Sequence, residues 1–172
     1  MRPLLAGSVI LSLGIFSAVL SWGGAISPHI KWSVNDFFLA AEVDENDVLF
    51  TRVRIELENQ GPASFTVTDI SANIPGLRLL PVGKAEKNGA AFTVEGGDTA
   101  YQWRRMVITD CAAVPYEPWP IRVTYSTWTG SGVAEVASDS WTMEGPEGST
   151  PVAWQRALTA KICNDAVNRP WF

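Results

Sequence analysis

The stretch VLFTRVRIELENQG at residues 48–61 constrains the fold of this chain more than any other segment. Its side chains alternate between an apolar set and a charged set, which is typical of a β-strand with one face in a core and one in water. Turn-forming residues follow at 59–62. Because one amphipathic strand cannot bury its own apolar face, the chain must supply further strands. The apolar set is Leu49, Thr51, Val53, Ile55 and Leu57, and the charged set is Arg52, Arg54, Glu56 and Glu58.

Other runs of strand-like composition lie on both sides of this segment, with turn signals between them. In the run at 99–110, Trp103 and Val107 fall opposite Met106 and Ile108, which indicates a β-bulge. Short strands separated by turns predict an all-β fold, namely an antiparallel β-sandwich. The predicted strands are 30–43, 48–58, 63–73, 77–82, 91–95, 99–110, 120–128 and 133–141, with hairpin turns at 44–47 and 129–132.

The end of the chain changes character and predicts a short helix after a linker at residues 144–149. Thr150 suits the N-cap and Pro151 the first helical position. Val152, Trp154, Leu158 and Ile162 have the spacing of one helical face, so we expect the helix to run through about Cys163.

The N-terminal segment at residues 3–26 carries no charge and is long enough to cross a membrane as a helix. It is either an uncleaved anchor or a cleaved secretory signal, for which Gly23-Gly24-Ala25 offers a cleavage site. Either way the following domain is exported. We therefore divide the chain into a transmembrane anchor or signal at 1–28, a β-sandwich at 29–145, and a C-terminal helix with its tail at 146–172.

The exported part is acidic, because 12 of the 13 basic and all 18 acidic residues follow Ser27, which gives a net charge of about −6. A domain of this charge is a poor partner for nucleic acid or for an anionic lipid surface.

Cys111 and Cys163 are the only two cysteines, and an even number in an exported domain predicts a disulfide. Two separate buried thiols are the alternative. A bridge would fasten the helix to the sheet, and closing a loop of this length stabilises by about 4 kcal/mol in the chain-entropy model.

Two tryptophans stand at predicted strand ends, where a ligand could reach them: Trp119 and Trp128. Stacking on a sugar or a peptide would use such residues, whereas packing within the domain is the ordinary role of tryptophan. The charged face of Arg52, Arg54, Glu56 and Glu58, or an exposed edge strand, is the corresponding candidate for contact with a protein.

Catalytic and metal-binding patterns are missing from the sequence. His29 is the sole histidine, so a histidine-based triad or a zinc site has no second ligand of that type. Acidic residues at 42–47 could hold calcium, but they lack the spacing of a calcium-binding loop, and a solvated turn explains them equally well. We predict no catalytic residue, no metal and no cofactor.

Four segments resemble the immunoglobulin-like domains of exported bacterial envelope proteins, a group that includes the cell-adhesion-related CARDB type. They are VRIELENQGPASFTV at 53–67, IPGLRLL at 74–80, FTVEGGDTAYQ at 92–102 and WPIRVTYST at 119–127. DCAAVP at 110–115 is also similar to stretches of secreted and membrane proteins of the actinobacterial type. The resemblance covers residues 48–128 and implies an immunoglobulin-like fold and an exported location, but no activity.

These observations predict a non-enzymatic binding or interaction domain held by a single membrane span, with its C-terminal domain outside the cytoplasm. Secretion after signal cleavage is the alternative location. The expected partner is an envelope protein or a wall polymer, reached through the tryptophans or the charged face. A structural or assembly module without its own ligand is the alternative function.

Overall fold

The structure is a computed structural model that describes residues 27–35, 39–80, 91–138, 141–145 and 148–168. The described part is mostly β, with one helix after the last strand. The elements are β1 (Ile30–Asn35), β2 (Glu42–Val43), β3 (Leu49–Asn59), β4 (Phe65–Ile74), β5 (Leu77–Leu80), β6 (Phe92–Val94), β7 (Thr99–Ile108), β8 (Ile121–Thr127), β9 (Gly130–Val136), β10 (Trp141–Gly145), β11 (Gly148–Val152) and α1 (Trp154–Asn168).

The strands form one curled antiparallel sheet in the order β1-β3-β7-β5-β4-β8-β9, while β2 adds to β3 and β6 adds to β4. The last residues of β4 pair with β5, whereas its earlier residues lie between β6 and β8. The two ends of the sheet approach each other, because Trp32 Nε1 on β1 donates a hydrogen bond to Val136 O on β9, at 2.9 Å. The sheet therefore wraps around a single interior, and β10 and β11 form a separate hairpin.

The alternation read in residues 48–61 is confirmed. Val53, Ile55 and Leu57 are at most 1% exposed and face the interior, while Arg52 is exposed on the other side of β3. β3 is the longest strand and lies between β1 and β7, so it contributes the most continuous apolar surface to the core.

Three details of the strand prediction are wrong. The run at 133–141 is not one strand, because β9 ends at Val136 and Trp141 begins β10 in a separate hairpin. The run at 30–43 divides into β1 and β2, with residues 36–38 outside the described part. The bulge expected in β7 is missing, because its ladder with β3 is continuous from Thr99 to Ile108. The alternation in β7 breaks at Val107, which is buried on the outer side beside its cross-strand partner Phe50. The irregular pairing lies instead in β4, between Val67 and Asp69.

The predicted linker and helix start are also wrong. Within the predicted linker, residues 144–145 end β10 and residues 148–149 begin β11, and Pro151 lies in β11 opposite Thr142. A proline is tolerated in a two-stranded hairpin, where its missing N–H can face away from the partner strand. The helix begins at Trp154 and continues to Asn168, beyond the expected end at Cys163.

The turn expected at 129–132 is shorter than predicted, because Trp128 and Thr129 alone connect β8 to β9.

The helix α1 packs on the core of the sheet through its buried residues Trp154, Leu158 and Ile162. The rings of Trp154 and Trp32 meet edge to face, with centroids 5.0 Å apart. Aromatic pairs favour this geometry, so the contact fixes α1 against β1.

The predicted anchor or signal at 3–26 lies outside the described residues. Among the residues that are described, no helix is both long enough and apolar enough to cross a membrane.

Candidate ligand-binding groove

A groove of about 900 Å³ lies between the outer face of the sheet and the connection from β7 to β8. We call residues 109–120, which form this connection, the 109–120 loop. The outer faces of β4, β5, β8 and β9 form the floor, and the end of the loop, including Trp119, forms one wall. A groove of this size matches the volumes in which proteins bind small molecules.

The floor is polar because successive side chains of a strand alternate between interior and outer face. Arg78 on β5 lies opposite Asn73 on β4, and Arg122 on β8 lies between Ser71 on β4 and Glu135 on β9. The two arginines thus stand on either side of β4, both exposed. Neither forms an ion pair with any residue that the structure describes.

Side chains in the first turn of α1 hold the wall of the groove by donating hydrogen bonds to the backbone of the 109–120 loop. Trp154 Nε1 donates to Trp119 O at 2.7 Å, and Gln155 Nε2 donates to the carbonyl oxygens of Pro115 and Glu117. Trp154 and Gln155 are at most 1% exposed, so the donors of these bonds are buried side chains.

Arg156 and the disulfide hold the earlier part of the loop. The Arg156 guanidinium donates to the carbonyl oxygens of Cys111 and Val114 and to the hydroxyl of Tyr116, whose ring it covers at 4.3 Å. Cys111 and Cys163 form the predicted disulfide, with their Cα atoms 6.4 Å apart. The loop is thereby bound to α1 along most of its length.

The start of the loop depends on a glycine in the turn between β4 and β5. Gly76 O accepts hydrogen bonds from the backbone N–H groups of Thr109 and Asp110. Its φ is +74°, and a Cβ at this position would meet Asp110 O at 2.2 Å. Glycine is thus required both by the backbone conformation and by the close approach of the loop.

The structure separates the two tryptophans that the sequence singled out. Trp119 lines the groove and is 38% exposed, whereas Trp128 is 70% exposed in the turn between β8 and β9 and does not line it. Trp154, which the sequence placed on a helix, and Trp32 belong to the core.

The charged face predicted on β3 exists, but both of its arginines already have an acidic partner. Arg54 forms an ion pair with Glu56 and lies 5.0 Å from the centre of the Tyr101 ring. Arg52 lies 4.0 Å from the carboxylate of Glu42. Glu58 stands opposite Lys31 of β1. The four predicted residues share one face of β3 and take no part in lining the groove.

The acidic turn at 44–47 uses its first carboxylate for structure. Asp44 Oδ1 accepts from the backbone N–H groups of Val48 and Asn46, at 3.0 and 2.9 Å, and Asp44 Oδ2 accepts from Arg105 at 2.6 Å. The bonds from Val48 and Asn46, followed by that from Arg105, hold the pKa of Asp44 below its usual value. Within the described ranges, no three histidine, cysteine or acidic residues are arranged to hold a metal ion.

An arginine in the interior connects the two halves of the sheet. Arg104 on β7 is 3% exposed, and its Nη2 lies 3.6 Å from Asp69 Oδ1 at the irregular part of β4. Burial lowers the pKa of Arg104, and the charge of Asp69 opposes that effect. The pair therefore joins the strand beside β3 to the strand that carries the groove.

Sequence reasoning found Trp119 but missed the floor of the groove. Arg78, Arg122 and Glu135 come from separate strands, and only the register across β5, β4, β8 and β9 brings them onto one surface. The sequence indicated only that Arg78 and Arg122 each alternate with apolar residues in their own strands and therefore face away from the core.

No protein-family model matches this sequence, and no curated protein matches it either. What the chain does therefore has to be inferred from the groove and from the loop beside it.

Proposed function

We propose that this protein is a non-enzymatic binding domain on the outer side of a bacterial membrane, and that its ligand lies in the groove. One observation carries this proposal: a loop bound to α1 along most of its length holds Trp119 beside two arginines that lack ion-pair partners among the described residues. A surface that is already rigid loses little conformational entropy when a ligand binds. Polar side chains without internal partners are free to meet one.

Binding without catalysis is supported by the kinds of residue present. The single histidine, His29, is exposed before β1 and is not among the residues that line the groove. The sequence contains no motif for an activated serine nucleophile or for binding of a nucleoside triphosphate or a dinucleotide.

The location outside the cytoplasm is a further part of the proposal. It is supported by the disulfide between Cys111 and Cys163, since such bridges persist in oxidising compartments. The uncharged segment at 3–26 would hold the domain on the membrane as a single span, or would direct its secretion if it is cleaved.

For the domain itself we propose an immunoglobulin-like sandwich of the CARDB type. The antiparallel pairing and the short strands of the described sheet support this assignment.

An assembly module without a ligand of its own is the second candidate. It is favoured by β9, which pairs only with β8 along the described sheet and exposes half of the Val133 side chain. An edge strand without lysine or proline can accept a strand from another protein.

The proposal can be tested by photo-cross-linking of the full-length protein in its own membranes. A photoreactive phenylalanine analogue replaces Asn73 on the floor of the groove in one variant and Val167, which is 84% exposed on α1, in the other. We expect capture of a protease-sensitive or glycosidase-sensitive partner from position 73 only, with loss of that capture on Trp119→Ala. Equal capture from both positions, or none from position 73, would contradict a ligand in the groove.

A further inference from the structure

We propose that the groove binds an uncharged polysaccharide, with one sugar ring packed on Trp119 and its hydroxyl groups bonded to the polar floor. This inference rests on the proposed function, because it names the ligand of the same groove. Three properties of the groove support it: an aromatic wall, a floor of donors and acceptors, and a balance of charge.

The aromatic wall provides the surface on which a sugar ring packs. A pyranose presents a flat face of C–H groups, which packs against an aromatic ring as other apolar surfaces do. Trp119 is exposed enough to offer its ring, at 38%, and its backbone is held by the bond from Trp154. Trp119 therefore offers an aromatic surface on a backbone whose position is set before the ligand arrives.

The floor provides both kinds of hydrogen-bonding group that sugar hydroxyls require. A hydroxyl donates one hydrogen bond and accepts others, so a chain of sugars needs donors and acceptors side by side. The guanidinium groups of Arg78 and Arg122 are donors only, and the carboxylates of Glu117 and Glu135 are acceptors. Asn73 adds an amide, which does both.

The balance of charge favours an uncharged ligand. Two arginines and two glutamates line the groove, so their formal charges cancel. The exported part of the chain carries about −6, which opposes the approach of a polyanion. A groove specific for an acidic polymer would carry an excess of positive side chains.

Titration calorimetry of the full-length protein with defined hexasaccharides tests the inference. The uncharged probes are the hexamers of N-acetylglucosamine, cellulose, amylose and mannan, and the charged probes are hexagalacturonate and fully deacetylated chitohexaose. We expect at least one uncharged hexamer to bind with an affinity that salt does not change, since screening acts on charges. Binding of none of the four, or binding of a charged hexamer alone with a strong salt dependence, would overturn the inference.

Matched substitutions identify the groove as the site of that binding. Trp119→Ala should weaken binding about tenfold or more, which is the loss expected for one aromatic contact and its neighbours, while Trp128→Ala should leave it unchanged. Arg78→Ala should weaken it as well, and Arg52→Ala on β3 should not. Circular dichroism of each variant establishes that it is folded. Equal losses at Trp119 and Trp128 would place the binding elsewhere and contradict the inference.

The cross-linking and calorimetry experiments can fail separately. If position 73 captures a protein while all four uncharged hexamers fail to bind, the groove is a binding site but its ligand is not an uncharged polysaccharide. If neither experiment gives a signal, the proposed function fails together with the inference.

Discussion

Two outer surfaces of the same sheet carry charged residues and differ in how those charges are used. On β3, Arg52 and Arg54 each have a carboxylate within the same surface. Across the groove, Arg78 and Arg122 have no ion-pair partner in the part of the chain that the structure describes. A charge that is already paired must lose its partner before it meets a ligand. The number of charged residues on a face is thus a weaker guide to binding than the positions of their partners.

The surroundings of the two surfaces differ in the same way. The β3 surface is built from a regular ladder with β1 and β7, and its shape follows from the strands alone. The groove needs, besides its strands, a loop that is held by the disulfide and by Trp154, Gln155 and Arg156 of α1. We therefore expect loss of α1 contacts to damage the groove while leaving the β3 surface intact.

Removal of the disulfide should cause the largest loss of stability, and the loss of protection should be concentrated in the 109–120 loop beside the groove. We expect the double variant Cys111→Ser and Cys163→Ser to lose about 2–4 kcal/mol of unfolding free energy in urea titrations, because the bridge closes a long loop. The bridged residues are separated by 52 positions. Hydrogen exchange should become faster at 109–120 and remain slow in β3.

Reduced wild-type protein is the matched control, since it should lose the same stability as the double variant. A loss below about 1 kcal/mol, or faster exchange in β3 equal to that in the loop, would show that the bridge does not act selectively on the groove.

The interior pair between Arg104 and Asp69 should show an unequal response to removal of its two members. Asp69→Ala leaves the guanidinium buried without a countercharge and should cost about 2 kcal/mol. Arg104→Met removes the buried charge and keeps most of its volume, so it should cost less or be neutral. Urea unfolding of both variants and of the double variant measures the coupling between β7 and β4. A greater loss for Arg104→Met would contradict this assignment of the cost.

The fold was predictable where a local pattern decides the structure, and the groove was not. Alternation alone identified the buried face of β3, because a strand with one wet face has a period of two. The helix start predicted from Thr150 and Pro151 is wrong, because pairing of these residues with β10 outweighs their preference for the first positions of a helix. Trp119 and Trp128 have similar sequence contexts at strand ends, and only the bond from Trp154 and the register of four strands distinguish them.

The hydrogen bonds of Asp44, in the turn before β3, make the stability of the protein depend on pH in the acidic range. The lowered folded pKa of Asp44 means that the unfolded chain, whose pKa is about 3.9, binds the proton more readily. The stabilisation from Asp44 is thus complete above about pH 5, begins to fall near the unfolded pKa, and is lost as the pH falls through the folded pKa. We expect Asp44→Asn to show a shallower decrease in stability below pH 4 than wild type, measured by urea unfolding at pH 7, 5, 4 and 3.

Asp47→Asn is the control, because it removes a carboxylate of the same turn that takes no part in the bonds to Val48, Asn46 and Arg105. If Asp47→Asn reduces the loss of unfolding free energy below pH 4 as much as Asp44→Asn does, the effect arises from net charge and not from these hydrogen bonds.

Removal of the ion pair on β3 should cause the smallest loss of stability. It also tests directly whether the β3 surface or the groove binds the ligand. Arg54 and Glu56 are partly exposed, at 29% and 28% of their side chains, and pairs of this kind contribute about 0–1 kcal/mol. In a double-mutant cycle of Arg54→Ala and Glu56→Ala we expect a coupling within that range and no change in capture from position 73. If the cycle instead abolished capture while the protein stayed folded, the β3 surface would be the binding surface. That outcome would show that ion pairing among the charges on β3 does not prevent this surface from binding a ligand.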